Sequence, residues 1–250
     1  MAKLTQKLAP GDLYTSITDI IGAEFVGNKT QGLNGKEFAL ALVGGSALVA
    51  GNLLQSAVED TQFENMAVGT AGAVGDNFIQ VTNGTTTVIP YYFKGGSISF
   101  YTAGTVAIGD EYTIMDVTGT LTSGGAMKVW LDRPLRYAVT TSAKVVMKQN
   151  LYNGVIQMPA TTPTGVPVGV AIFAGAAGSS TVQSACWIQT KGLASVLSDG
   201  STFAVGSAVG TPSGTAGAVT VYAAATTKTA VGDVLEAAAS AHAIAINLRL

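Results

Sequence analysis

Hydrophobic and polar residues alternate in short runs along this chain, and the three-to-four spacing of a long amphipathic helix is never sustained. The last residues are the plainest case. Ile244, Ile246, Leu248 and Leu250 alternate with Ala245, Asn247 and Arg249, the period-two pattern of a strand with one buried face. Phe78-Ile-Gln-Val-Thr82 and Thr85 to Val88 flank Asn83-Gly84, a pair suited to the positive φ of a type I′ turn, so a β-hairpin is predicted there. Ser123-Gly124-Gly125 and Asp199-Gly200 mark further turns between segments rich in Thr, Val, Ile and Tyr, which suit a pleated, half-buried surface. The uncharged stretch Phe38 to Val58 is broken by Gly44-Gly45, Ser46, Asn52 and Gln55, and its purest apolar part falls short of the ~20 residues of a membrane helix. It reads as buried β with a short helix at Leu53 to Val58. The fold class predicted is all-β, in short-stranded barrel or sandwich units.

In Met158 to Pro167, prolines at 159, 163 and 167 withhold backbone donors from a sheet, so a connector is predicted there. Residues 1–37 mix charges of both signs with little periodicity, and read as an extended arm or as an ordinary strand and loop. The organisation expected is a peripheral segment 1–37, a first β domain 38–157, the connector 158–167 and a second β domain 168–250. The halves echo each other at one constant offset: Lys94-Gly95 with Lys191-Gly192, and Thr105-Val-Ala-Ile-Gly109 with Thr202-Phe-Ala-Val-Gly206. As related units, each would use x-Ala-Ile/Val-Gly to end a strand at a tight turn. Chance matching is the alternative in a chain so rich in Gly, Ala and Val.

Composition adds a constraint on the surface. Charged residues make up 11% and hydrophobic ones 48%, against roughly 25% charged in an average soluble domain. So little charge leaves much of the surface to Ala, Thr, Ser and Gly, or to neighbouring subunits. The 31 glycines follow no three-residue period, which excludes collagen. A net charge of −2 lacks the basic excess of a nucleic-acid binder. Neither nucleic acid nor a membrane is expected as a partner. Met1 to Lys7 lead into Pro10 and Asp12 without an apolar run, so no signal peptide is expected.

Catalytic patterns are missing. The single histidine, His242, lies in the Ala-rich run before the last strand, without sequence partners for a triad or a three-histidine metal site. The single cysteine, Cys186, precedes Trp187 in a strand-like run and reads as a buried inert thiol. Glu59-Asp60 and Asp110-Glu111 are adjacent pairs whose side chains would diverge on a strand. No catalytic residue, metal or cofactor is expected, and the chain is read as not an enzyme. One charge cluster stands out: Lys128, Arg133, Arg136, Lys144 and Lys148, opposed only by Asp132. It reads either as a dock for an acidic surface on another subunit or as a solvated, charge-protected sheet edge.

The second half resembles a group of tailed-bacteriophage virion proteins, the capsid decoration or cement proteins. The resemblance is carried by Val168-Gly-Val-Ala171, Trp187-Ile-Gln-Thr-Lys-Gly-Leu-Ala-Ser-Val196, Ala204-Val-Gly206, Val231-Gly-Asp-Val-Leu-Glu-Ala-Ala238 and the run Ile244 to Leu250. It covers residues 166–250 well and 66–125 loosely, and leaves 1–60 unmatched. The resemblance implies a structural virion protein, made in the host cytoplasm, that sits on the outer capsid surface and clamps the major capsid protein against internal DNA pressure. It also implies a homo-oligomer, a trimer before a dimer. The alternatives are a tail tube, connector or fibre component, or, from a different class, a β-rich carbohydrate-binding module.

Overall fold

A computed structural model describes residues 26–89, 91–100, 108–119, 121–178, 184–223, 228–238 and 242–250. Residues 1–25 of the expected arm and Thr105 to Ala107 of the first echo lie outside these. Sixteen strands occur among the described residues, every pair of named strands is antiparallel, and helical structure there is confined to two 3-10 turns, Leu33–Gly35 and Thr61–Phe63. The protein is all-β.

Glycine turns decide where strands begin. In Val49–Asn52, Ala73–Asp76, Thr122–Gly125, Ala204–Ser207 and Thr215–Ala218 the fourth N–H donates to the first carbonyl at 3.1–3.3 Å. The third residue of each is a glycine with positive φ, namely Gly51, Gly75, Gly124, Gly206 and Gly217. That is the position where a type II turn demands φ near +80°. A strand starts within three residues of each turn: β3 (Leu53–Gln55), β5 (Phe78–Thr82), β8 (Ala126–Leu131), β13 (Ala208–Gly210) and β14 (Thr220–Val221). Gly109, at φ +82°, likewise precedes β7 (Glu111–Val117). Among the described residues, Ile108-Gly109 precedes β7 and the word Thr202 to Gly206 precedes β13, so each x-Ala-Ile/Val-Gly word is followed closely by a strand.

The chain divides into two units. Residues 59–150 form a closed six-stranded barrel in the order β4 (Met66–Thr70), β5, β8, β7, β6 (Ser97–Phe100) and β9 (Lys144–Lys148), with β9 closing on β4. Alternation along β5, β8 and β9 fills its interior. Ile79 and Val81, Met127, Val129 and Leu131, and Val145 and Met147 point in and are buried, while Phe78, Lys128 and Trp130 point out. Phe63 packs edge-on against Phe93, ring centroids 4.7 Å apart, within this core.

Among the described residues, the other unit spans 26–58 and 151–250. Its sheet runs β10 (Ile156–Gln157), β3, β11 (Pro167–Ala171), β12 (Ser184–Leu197), β16 (Ala243–Arg249), β15 (Ala230–Val234), β13, β14. β2 (Glu37–Val43) also pairs with β12, and β1 (Lys29–Gln31) with β2. The 14-residue β12 is the hub: its first half pairs with β2 and is buried on both faces, and its second half pairs with β16. Ile244, Ile246 and Leu248 of β16 are buried as the alternation predicts, whereas Leu250 lies past the strand and is exposed.

Several local expectations change. Leu53–Gln55 is a strand, so no helix begins there. Asn83-Gly84 makes no type I′ turn: neither residue has positive φ, and the buried Asn83 amide donates to the carbonyls of Thr86 and Thr122 at 3.0 Å. Residues 85–87 consequently turn away from β5, and Val88 bridges to Leu121. Residues 158–166 do connect two strands, but both strands flank β3 in one sheet, and Pro167 opens β11, the first-residue position that tolerates a missing N–H. The unit boundaries fall at 58/59 and 150/151, away from residues 37 and 158–167.

Candidate functional site

The barrel separates the basic residues that the sequence clusters. Lys128 is on β8, Lys144 and Lys148 are on β9, and these strands lie three apart in either direction round the barrel. Lys128 and the β9 lysines therefore occupy opposite walls. Arg133 and Arg136 sit in the loop between β8 and β9, where their side chains serve that loop. The Arg133 guanidinium donates to the Glu111 carbonyl, lies 3.5 Å from Asp132, and covers the Tyr112 ring at 4.6 Å. Arg136 lies 3.7 Å from Asp110, and its backbone N–H donates to the Tyr112 hydroxyl at 3.1 Å. That hydroxyl donates in turn to Asp110 at 3.2 Å. Burial first, with the Asp110 carboxylate, pushes the Tyr112 phenol up, against the Arg136 N–H and the Arg133 charge, which lower it. Lys148 pairs with Glu59 and, at 3.4 Å, with Glu64.

The other candidates have local roles. Cys186 is buried on β12 opposite Ala41, among Ala39, Val43, Leu48 and Ile188. Burial pushes its thiol up to about 12, so the reactive thiolate is scarce at neutral pH. His242 is exposed; its backbone N–H donates to the Ser198 hydroxyl at 3.3 Å, and its carbonyl accepts from the Ser198 N–H at 2.9 Å. Asp60 accepts from the Gln62 N–H at 3.0 Å, capping the 3-10 turn, and from the Thr86 hydroxyl at 2.5 Å. No group of three or more His, Cys, Asp or Glu that could hold a metal ion occurs among the described residues. No helix among them is long and apolar enough to cross a membrane. Comparison of the chain with protein-family models, with curated proteins and with solved structures returned no match.

Two features escaped the sequence reading. The first is a set of apolar turn tips: Val74, Ile108 and Val205 each immediately precede a positive-φ glycine, and each is more than half exposed. The second is an outward aromatic row on the barrel. Phe78 of β5 lies opposite Trp130 of β8, and Trp130 lies opposite Asp116 of β7. A β-bulge places Met115 beside Asp116 on the outside. The alternation of Ala126-Met-Lys-Val-Trp-Leu131 held the signal for this row. Once Met127, Val129 and Leu131 are inside, Lys128 and Trp130 must be outside.

Proposed function

We propose that this chain is a structural protein of a tailed-phage virion, decorating the outer surface of the capsid and binding the major capsid protein. The observation that carries the reading is where the resembling words fall. Val168 to Ala171 lies on β11, Trp187 to Val196 on β12, Ala204 to Gly206 in the turn that launches β13, Val231 to Ala238 on and after β15, and Ile244 onward on β16. All five belong to one sheet unit, so the resemblance follows a folded object rather than scattered words.

A charge content of 11% supports the same reading, because a surface so poor in charge suits contact with other subunits better than with water. The proposal assigns no catalytic step, cofactor or nucleic-acid contact. Arg133, Arg136 and Lys148 are engaged within the barrel unit and Arg249 with Asp233 in the sheet unit, so contact with the shell falls mainly to apolar and hydroxyl side chains. The test is to quantify this chain in purified particles of the phage that encodes it. Copies on the order of the number of shell subunits, released from heads rather than tails, are expected; a dozen or fewer, or recovery with tails, would overturn the proposal.

A further inference from the structure

The outward row on the barrel carries opposite charges at its two ends. At one end the Lys128 ammonium stands 4.5 Å over the Phe78 ring. Trp130, 38% exposed, occupies the middle. At the other end are Met115, 42% exposed, and the exposed Asp116. Neither Lys128 nor Asp116 takes part in an ion pair with a described residue. The Asp116 carboxylate only accepts its neighbour's N–H, from Val117 at 2.9 Å.

Sugar stacking needs open ring faces, and two of the exposed rings here carry a cation. Lys128 occupies the face of Phe78, and Arg136 lies 5.8 Å from the ring centroid of Tyr137, the other exposed aromatic among the described residues of the barrel unit. Trp130 alone has no cation over it among the described residues. A single ring with a cation at one flank and a carboxylate at the other suits a protein surface: an aromatic and methionine centre within a charged rim.

We infer that the outer face of β5, β8 and β7 is a two-fold interface between two copies of this chain. The reason is self-complementarity. A two-fold axis at Trp130 turns the row end for end, laying Lys128 and Phe78 of one copy over Asp116 and Met115 of the other. It does so twice, as an isologous interface requires. Each contact joins an ammonium and a carboxylate that have no ion-pair partner among the described residues, and a thioether to an aromatic ring, a favourable pairing in its own right. The two tryptophans meet at the centre, where binding energy concentrates. Of the two oligomers that the resemblance implies, a trimer before a dimer, this face specifies the dimer. The inference stands apart from the virion reading: a dimer can form whatever the chain decorates.

The test is sedimentation velocity of the full chain over a concentration series. Wild type should dimerise. Trp130→Ala, Lys128→Glu and Asp116→Lys should each raise the dimer dissociation constant by about tenfold or more, the size of a hot-spot loss. The double variant Lys128→Glu/Asp116→Lys exchanges both charges and should recover most of the loss. An independent measurement needs no variant. Zero-length carbodiimide coupling of mixed isotope-labelled and unlabelled chains should join Lys128 of one copy to Asp116 of another. Any one of four results would overturn the inference: a wild type that is monomeric throughout, a trimer, a dimer indifferent to Trp130→Ala, or an inter-chain Lys128–Asp116 cross-link that never forms.

Discussion

At Gly206 an added Cβ would meet nothing within 4 Å, yet φ is +81°, so alanine there isolates the strain of the backbone. Gly206→Ala should destabilise the protein by about 1–2 kcal/mol, the cost of a left-handed L-residue. Gly217→Ala combines the same strain, at φ +71°, with a Cβ only 2.6 Å from Asn52 Cγ, and Asn52 is itself buried. It should cost clearly more, and urea unfolding of the two variants reads the difference. Asp199 gives a pH signature at the same scale. Burial raises its pKa, but hydrogen bonds from the Thr220 side chain and from Ser201, with the charge of Lys228, outweigh that and leave it lowered. A carboxyl whose folded pKa is lowered stabilises the fold above its unfolded value of about 3.9, and that stability is lost as pH falls through the folded value. Asp199→Asn should therefore flatten the acid limb of the stability profile and leave the slope near neutrality unchanged. Cys186, with its thiol pushed up to about 12, should resist an aromatic disulfide reagent at pH 8 in the folded protein and react at once in denaturant. Fast labelling of the folded chain would mean that β12 opens locally.

Strands with one wet face are legible, because alternation is written directly in them; β16 is the example read from sequence, and β8 carries the same alternation unread. The first half of β12 was harder, since Ser184 to Thr190 is buried on both faces and shows no alternation. Asn83-Gly84 misled because a hairpin signal is local, while the Asn83 amide is claimed by Thr122, distant in sequence. The insertion of the barrel into the sheet unit was invisible for the same reason. Charge does rise at Glu59, where the uncharged stretch Phe38 to Val58 ends, and fall again after residue 150, but such a shift does not say that the flanking segments join, and the closure rests on nonlocal pairs: Met66 opposite Val145 in the β4–β9 ladder, and Lys148 with Glu59 and Glu64. The split basic cluster follows from barrel order, which no spacing encodes. A contiguous segment with a closed sheet and its own core should fold alone. Residues 59–150 expressed by themselves are expected to give a β-type far-ultraviolet spectrum and a single cooperative denaturant transition. A broad, non-cooperative melt would show that the barrel depends on the rest of the chain.

For the whole molecule, the proposed role turns on many weak contacts acting together. On that proposal, a surface with few charges and with apolar turn tips would make each contact with a shell subunit small and insensitive to salt. Once one copy of a dimer is seated, its partner is held near the next site at high effective concentration, so occupancy rises without any single strong contact. A protein bound in this way across capsid subunits opposes their separation, and that separation is what packaged DNA drives. Heads lacking the chain should therefore assemble and package but release DNA at a lower temperature than complete heads. Adding back the purified protein should restore the threshold, and adding back Trp130→Ala should restore it only at higher protein concentration. Thermal release of DNA, followed with an intercalating dye, measures all three. An unchanged threshold in heads without the chain would refute the stabilising role while leaving the dimer untouched. A restored threshold that ignores Trp130→Ala would separate shell binding from the barrel face.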